Sequence, residues 1–229
     1  MQFIIIGLGN FGAWLGDKLT QAGHEVIGID NKMERVEAYK DKLTHVIKLD
    51  STDLHALKTL PLKDVDAVIV AIGEDIGASL LTTALLKQLK VNRIIGRVIS
   101  PVHETVITAI GIDEVVHPEQ ETAERWSKKL DMQGVVESFN ISGDYNIIEV
   151  KTPPRYADKT IEKCEIREKY DLNVITILRS ESKESIFGFE KTVKNSIGVV
   201  RADTIIMGDD LLVMFGHIKD IKRFIEDHS

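Results

Sequence analysis

A single cysteine, Cys164, leaves the chain without the means to form an internal disulfide, so its stability rests on a packed core and a reducing cytoplasm suits it. Proline is scarce as well, with five residues, and those at Pro61, Pro118 and Pro153-Pro154 fall where one pattern stops and another begins. No run of 18 apolar residues occurs, and no basic stretch precedes a first strand that starts at residue 2. Neither a membrane span nor a signal peptide is therefore expected. Positive charge is in deficit, 29 Lys and Arg against 36 Asp and Glu, so the net charge of −7 gives no reason to expect nucleic acid, although local basic patches remain open. The seven histidines form no i, i+4 pair, which argues against a His-built metal site.

What is present begins at once. The apolar run 3–6 reads as a buried parallel strand, and Gly7, Gly9 and Gly12 follow it at G-x-G-x-x-G spacing. Gly7 allows a sharp turn, Gly9 removes a Cβ that would block a diphosphate, and Gly12 lets the next helix press against the sheet. That helix, through Ala13, Trp14, Leu15, Leu19 and Ala22, points its first-turn N–H groups and the positive end of its dipole at the phosphates. Gly23 ends it, and a second strand over 26–29 finishes in Asp30, about 20 positions on, where a carboxylate accepts hydrogen bonds from both ribose hydroxyls and repels a 2′-phosphate. The alternative reading of the glycines is a tight strand-to-helix turn without a ligand.

Strands and helices keep alternating. A short helix is expected over 33–41, a third strand over 44–49 and a helix capped by Asp53 and closed by Pro61. A fourth strand over 67–71 leads into Ile72-Gly73-Glu74-Asp75, and a helix over 76–90 precedes a fifth strand over 93–98. A helix over 102–110 is stopped by Gly111, and a sixth strand covers 114–117. The pattern is that of a Rossmann-like, doubly wound α/β fold with parallel strand order 3-2-1-4-5-6, whose ligand crevice brings 71–74 across from the Gly7 loop.

A further helix over 119–130 leaves Trp126 as either ordinary core or a contact with a second subunit, and a boundary is expected near Gly134. Residues 1–134 thus form a nucleotide-binding domain with a crossover helix, and 135–229 a small α+β C-terminal domain. In the latter, strands are expected at 145–151 and 174–179, a helix with an interruption at 158–170 and a polar loop at 180–185. The stretch 186–200 is ambiguous; 204–206 and 211–215 read as paired strands about the turn Gly208-Asp-Asp210, and Ile218, Ile221, Phe224 and Ile225 mark a closing helix.

No catalytic constellation accompanies the glycine loop. Tyr156 and Lys159 miss the Tyr-x-x-x-Lys spacing by one residue, and the acidic neighbours of Cys164 disfavour a thiolate. Binding without turnover is the expectation. The rival is a small NAD-dependent oxidoreductase using Tyr145, Tyr156 or Lys159; a redox-sensing repressor would need a basic winged helix ahead of the first strand.

Four stretches carry a resemblance: 3–12, 23–30, 67–73 and Gly111-Ile-Asp-Glu-Val-Val-His-Pro-Glu119, joined in the second half by 164–170 and 202–213. Together they resemble the KtrA/TrkA family, the RCK (regulating conductance of potassium) subunits of bacterial potassium uptake systems. The resemblance implies a non-enzymatic gating subunit that is cytoplasmic and held at the inner face of the membrane through a membrane-embedded potassium channel subunit. It implies homodimers that assemble into a tetramer or octameric ring, whose shape changes with ATP against ADP or NAD against NADH. Carried over by position, the nucleotide site comprises Gly7, Gly9, Asn10, Phe11, Gly12, Asp30, Asn31, Lys32, Asp50, Ser51, Ala71, Gly73, Glu74 and Arg97. Asp50 and Ser51 would stand beside the base and Arg97 near the phosphates. Glu119 matches a position where two subunits hold a cation such as Mg, Ca or Na, although a glutamate at a helix start also serves the dipole.

The sequence departs from the family at Asn10, where ATP-responsive members carry an arginine. The lost charge-assisted pairing is worth on the order of 1.5–3 kcal/mol. Compensation falls to Arg97 or Lys32, or else the preference moves to ADP, AMP or NAD(H). In several family members the C-terminal domain binds cyclic di-AMP. The equivalent residues are Arg167, facing a phosphate, with Ile161, Ile166 and Ile175 facing the adenines; a plain surface arginine is the other reading.

Overall fold

The computed structural model describes residues 1–132, 134–184 and 190–228. They gather into two compact units, Met1–Gln120 and Glu121–Ser229. The division falls within the residues of one helix, Pro118–Asp131; the sequence expectation is a boundary near Gly134.

The first unit holds β1 (Gln2–Ile6), α1 (Asn10–Gln21), β2 (Glu25–Asp30), α2 (Met33–Tyr39), β3 (His45–Lys48), α3 (Leu54–Leu57) and β4 (Ala67–Val70). It continues with α4 (Ile76–Gln88), β5 (Ile94–Arg97), α5 (Pro101–Ile110), β6 (Glu114–Val116) and the start of α6 (Pro118–Asp131). The six strands pair in parallel in the order β3-β2-β1-β4-β5-β6, as expected.

Both faces of this sheet are covered, which is why its central strands read as unbroken apolar runs. Ile4 and Ile6 of β1 pack with Val68, Val70 and Ile94 on one face, and Phe3 and Ile5 pack with Val26 and Ile69 on the other. Each such side chain contributes about 1.5–3 kcal/mol by leaving water. Asp53 caps α3 through His55 N–H at 2.8 Å, as its sequence position suggests, but the helix stops at Leu57 rather than at Pro61. Turns fill the interval and place Leu60, Leu62 and Val65 in the core.

One buried histidine ties α4 to α5. His103 is 2% exposed, its Nε2 lies 3.1 Å from Ser79 Oγ, and its Nδ1 accepts from Ile99 N–H at 3.4 Å. Burial pushes its imidazole below the usual histidine range. The folded state therefore resists a proton that the unfolded chain takes up near pH 6.5, and stability is lost as pH falls through that value towards the lower folded pKa. Urea unfolding between pH 7.5 and 5.5 should show stability falling by at most about 1.4 kcal/mol per pH unit from this group, and His103→Gln should flatten that share of the slope.

The second unit is antiparallel. It holds β7 (Val135–Ser142), β8 (Tyr145–Lys151), a 3₁₀ turn (Pro154–Tyr156), α7 (Ile161–Cys164), α8 (Ile166–Tyr170), β9 (Asn173–Glu184), β10 (Glu190–Ser196), β11 (Leu211–His217) and α9 (Ile218–Glu226). The sheet order is β10-β9-β11-β8-β7, and Ile148, Ile177, Leu212 and Met214 meet Ile221 and Phe224 of α9 in its core.

β7 has no counterpart in the sequence reading, because register shifts at Val135/Glu137 and Asn140/Ser142 break its two-residue alternation. The polar stretch 180–184 is the end of β9 rather than a loop; it pairs only with the edge strand β10, so backbone bonding maintains it without an apolar pattern. Ser185 and the first part of the ambiguous stretch, 186–189, lie outside the described residues. Residues 204–206 are no strand: a lone bridge joins Thr160 to Ile205. What holds the following turn is Asp210, 1% exposed, which accepts from Met207 N–H at 2.7 Å and pairs with both Nε and Nη2 of Arg179. The expected interruption in 158–170 falls at Glu165, where φ is +50° between α7 and α8. Trp126 is 49% exposed, which removes the ordinary-core reading within this chain.

Candidate functional site

β1 delivers the chain into a turn that only glycine accommodates well. Gly7 has φ +101°, donates its N–H to Ile29 O at 2.7 Å, and would place a Cβ 2.9 Å from Ile72 N. Gly12, one turn into α1, sits so close behind that loop that a Cβ would lie 2.0 Å from Gly7 O and 2.9 Å from Ala71 Cβ. The pair brings the N-terminus of α1 against the ends of β1 and β4. The first intrahelical bond is Ala13 N–H to Gly9 O, so the N–H groups ahead of it have no acceptor within the helix.

Asp30 closes the other side. It is 5% exposed, its Oδ2 accepts from Leu8 N–H at 2.8 Å and its Oδ1 from Lys32 N–H at 2.9 Å. One carboxylate thereby locks the glycine loop to the end of β2, with lone pairs left over for further donors.

These groups line one cavity of about 790 Å³, within the range for a small-molecule site. Every residue expected for the nucleotide borders it except Gly12, which stands behind the loop, and Glu119 borders it too. Ser51 lines it but turns its hydroxyl away, 2.8 Å from Thr82 Oγ1 of α4, so its part is to anchor the loop after β3. Asp50 accepts from the hydroxyl and N–H of Thr52 at 2.7 and 2.9 Å, which hold its carboxyl below the usual range.

Arg97 crosses the face of Gly73, reaches towards Ala71 O at 3.5 Å, pairs with Glu119, and lies 5.9 Å from the Phe11 ring centroid. Its Nε is buried without a hydrogen-bond partner. A second cavity of about 390 Å³, bordered by Ser100, Glu104 and His117, shares Arg97 and Glu119 with the first.

Sequence reasoning missed Arg35. It borders the cavity from the first turn of α2, with Nη1 3.4 Å from Asp30 Oδ2 and Nη2 2.5 Å from Glu74 Oε1. Its signal was a cation five residues beyond the ribose acid, on the helix that the acid precedes.

The TrkA-N domain model matches residues 3–118, which span the glycine loop, Asp30 and Arg97. The chain belongs to this family. Ktr system potassium uptake protein C of Bacillus subtilis (strain 168) is 35% identical over 97% of this chain and 95% of its own length. Among solved structures, the GsuK RCK domain superposes with a TM-score of 0.64 at 20% identity, covering 100% of this chain and 48% of that one. The GsuK channel bound to NAD gives 0.61 at 20% identity, covering 96% of this chain and 38% of that one. This chain thus spans about half the length of the first GsuK chain, and at that identity the likeness concerns fold.

The TrkA-N site and the residues expected for cyclic di-AMP lie in different units. In the second unit Ile161 packs partly against the core, Arg167 is exposed, Ile175 is 38% exposed and Ile166 is buried in the core at 2%. Among the described residues no group of three or more His, Cys, Asp or Glu is placed to hold a metal ion, and Glu119 is engaged with Arg97. No helix among the described residues is long and apolar enough to cross a membrane.

Proposed function

We propose that the cavity holds an adenine nucleotide as a signal and that the chain is the nucleotide-sensing, non-enzymatic regulatory subunit of a potassium uptake system. One observation carries the nucleotide reading: the glycine loop, the first turn of α1 and the Asp30 carboxylate converge on a single cavity. The potassium part rests on the near end-to-end match to the Ktr protein. Main-chain N–H groups of the loop and α1 receive the phosphates, the free lone pairs of Asp30 receive ribose hydroxyls, and the Arg97 guanidinium at the edge of the cavity supplies a further cation.

The nucleotide acts by population shift. A ligand moves the chain between two arrangements only by as much as its affinity for them differs. Assembly into homodimers and larger rings, and attachment through a membrane-embedded channel subunit at the inner face of the membrane, belong to this reading. A cation at Glu119 would need ligands from a second subunit. Cyclic di-AMP in the second unit would rest on Arg167, Ile161 and Ile175, since Ile166 faces the core.

Two features favour a dinucleotide or a diphosphate over ATP. Asn10 cannot neutralise a γ-phosphate, and the second cavity beyond Arg97 offers space for another nucleoside. The oxidoreductase rival gains no support from Tyr156, whose hydroxyl already meets Arg155 and His228.

Thermal unfolding with ATP, ADP, AMP, NAD, NADH and cyclic di-AMP tests the proposal. A ligand at 100 times its Kd should add about 2.7 kcal/mol, roughly 5–10 °C for a chain of this size. Absence of any shift, or steady oxidation of NADH with carbonyl substrates, would overturn it.

A further inference from the structure

Every cation bordering the cavity is already engaged by a carboxylate of the chain itself. Lys32 Nζ lies 2.9 Å from Glu74 Oε2, Arg35 meets Glu74 and Asp30, and Arg97 meets Glu119. Glu74 stands apart in this set, because its two oxygens are divided between two cations. It extends from the loop after β4, whereas Lys32 and Arg35 belong to the segment after β2, and in the sheet β1 separates those strands. The ion pairs therefore run across the end of β1, over the loop that begins with Gly7.

Arg35 occupies a telling position. A Cβ built on Gly9 would find Arg35 Nη1 as its nearest neighbour at 3.9 Å, so the guanidinium stands over the glycine whose missing side chain admits a diphosphate. Guanidinium and ammonium groups donate to carboxylate and phosphate oxygens alike. The chain's own carboxylate thus fills the place on Lys32 and Arg35 that a ligand phosphate would take. The contact is exchangeable: Glu74 and Lys32 side chains are 65% and 55% exposed, and pairs in that setting are weak.

We propose that Glu74 is an internal competitor for the ligand's phosphates, which must displace it from Lys32 and Arg35, and that it thereby sets how strongly the site responds to ligand charge. This rests on the nucleotide reading above and adds a regulatory role to it. Lys32 and Arg35 become phosphate partners only in the bound form. Adenosine, with no phosphate, leaves the Glu74 contacts in place, whereas ADP exchanges them.

Calorimetric titration of the full chain and of Glu74→Gln with adenosine, AMP, ADP and NAD at low salt tests this. ADP should bind the variant about 2- to 30-fold more tightly than the parent, adenosine equally, and the ADP gain should shrink as salt is raised. Arg35→Gln should move the other way, weakening ADP more than adenosine. Circular dichroism of both variants checks the fold, although Glu74 is exposed enough that its replacement should leave it intact. An unchanged or weakened ADP affinity in Glu74→Gln, or an equal change for adenosine and ADP, overturns the competitor role while leaving the nucleotide reading standing. Failure of parent and variants alike to bind any of the four removes both.

Discussion

Alanine at position 12 is expected to abolish nucleotide binding and to remove several kcal/mol of stability from the first unit. On an ordinary helix the change would help, since glycine costs about 0.5–1 kcal/mol relative to alanine there. Here the added methyl would meet Gly7 O at 2.0 Å and Ala71 Cβ at 2.9 Å. The first obstacle is main chain, held in turn by the Gly7 N–H to Ile29 O bond, so no rotamer change relieves the clash. Overpacking of a tight core typically costs about 1–3 kcal/mol, and a contact with fixed backbone belongs at or above the upper end. To escape, α1 must lift away from β1 and β4, which carries its first-turn N–H groups away from the cavity. Urea unfolding together with ADP titration checks both effects; normal stability would show that the added methyl is accommodated without lifting the helix, and would sink the prediction.

The second large effect is expected at Asp30. Asparagine keeps the size but has one acceptor oxygen, so either Leu8 N–H or Lys32 N–H would face an amide NH₂, and the ribose would lose a charged acceptor. Hydrogen bonds to charged groups are worth about 1.5–3 kcal/mol, so affinity should fall on the order of 10- to 150-fold. Unlike the Glu74→Gln change, this loss should be similar for adenosine, ADP and NAD, because every one of them carries the ribose. Competition binding against a fluorescent adenine nucleotide would measure it. A loss confined to ADP would place the ribose elsewhere.

These two positions were also the most legible in the sequence. A sheet covered on both faces writes itself as apolar runs, and the turns that feed its crevice need glycine and aspartate at fixed offsets, so strand order and the main site residues followed from pattern. The second unit hid its architecture in backbone pairing. β7 carries two register irregularities, and the far ends of β9 and β10 have only each other to bond, so neither shows the alternation that marks a half-buried strand. Asp210 looked like a turn residue and is instead a buried anchor for Arg179. Side-chain direction was the other gap. Ser51 and Ile166 sit where position suggested, yet one hydroxyl points to Thr82 and one aliphatic chain into the core. Arg35 went unnoticed because its role comes from partners 5 and 39 residues away, a relation that spacing alone does not display.

The sole thiol lends the molecule a private reporter. Cys164 closes α7 at 1% exposure, and burial raises its pKa, so a labelling reagent meets neither access nor thiolate while the second unit stays shut. Since the first unit has no cysteine, modification kinetics time the opening of one half of the protein against a silent background from the other.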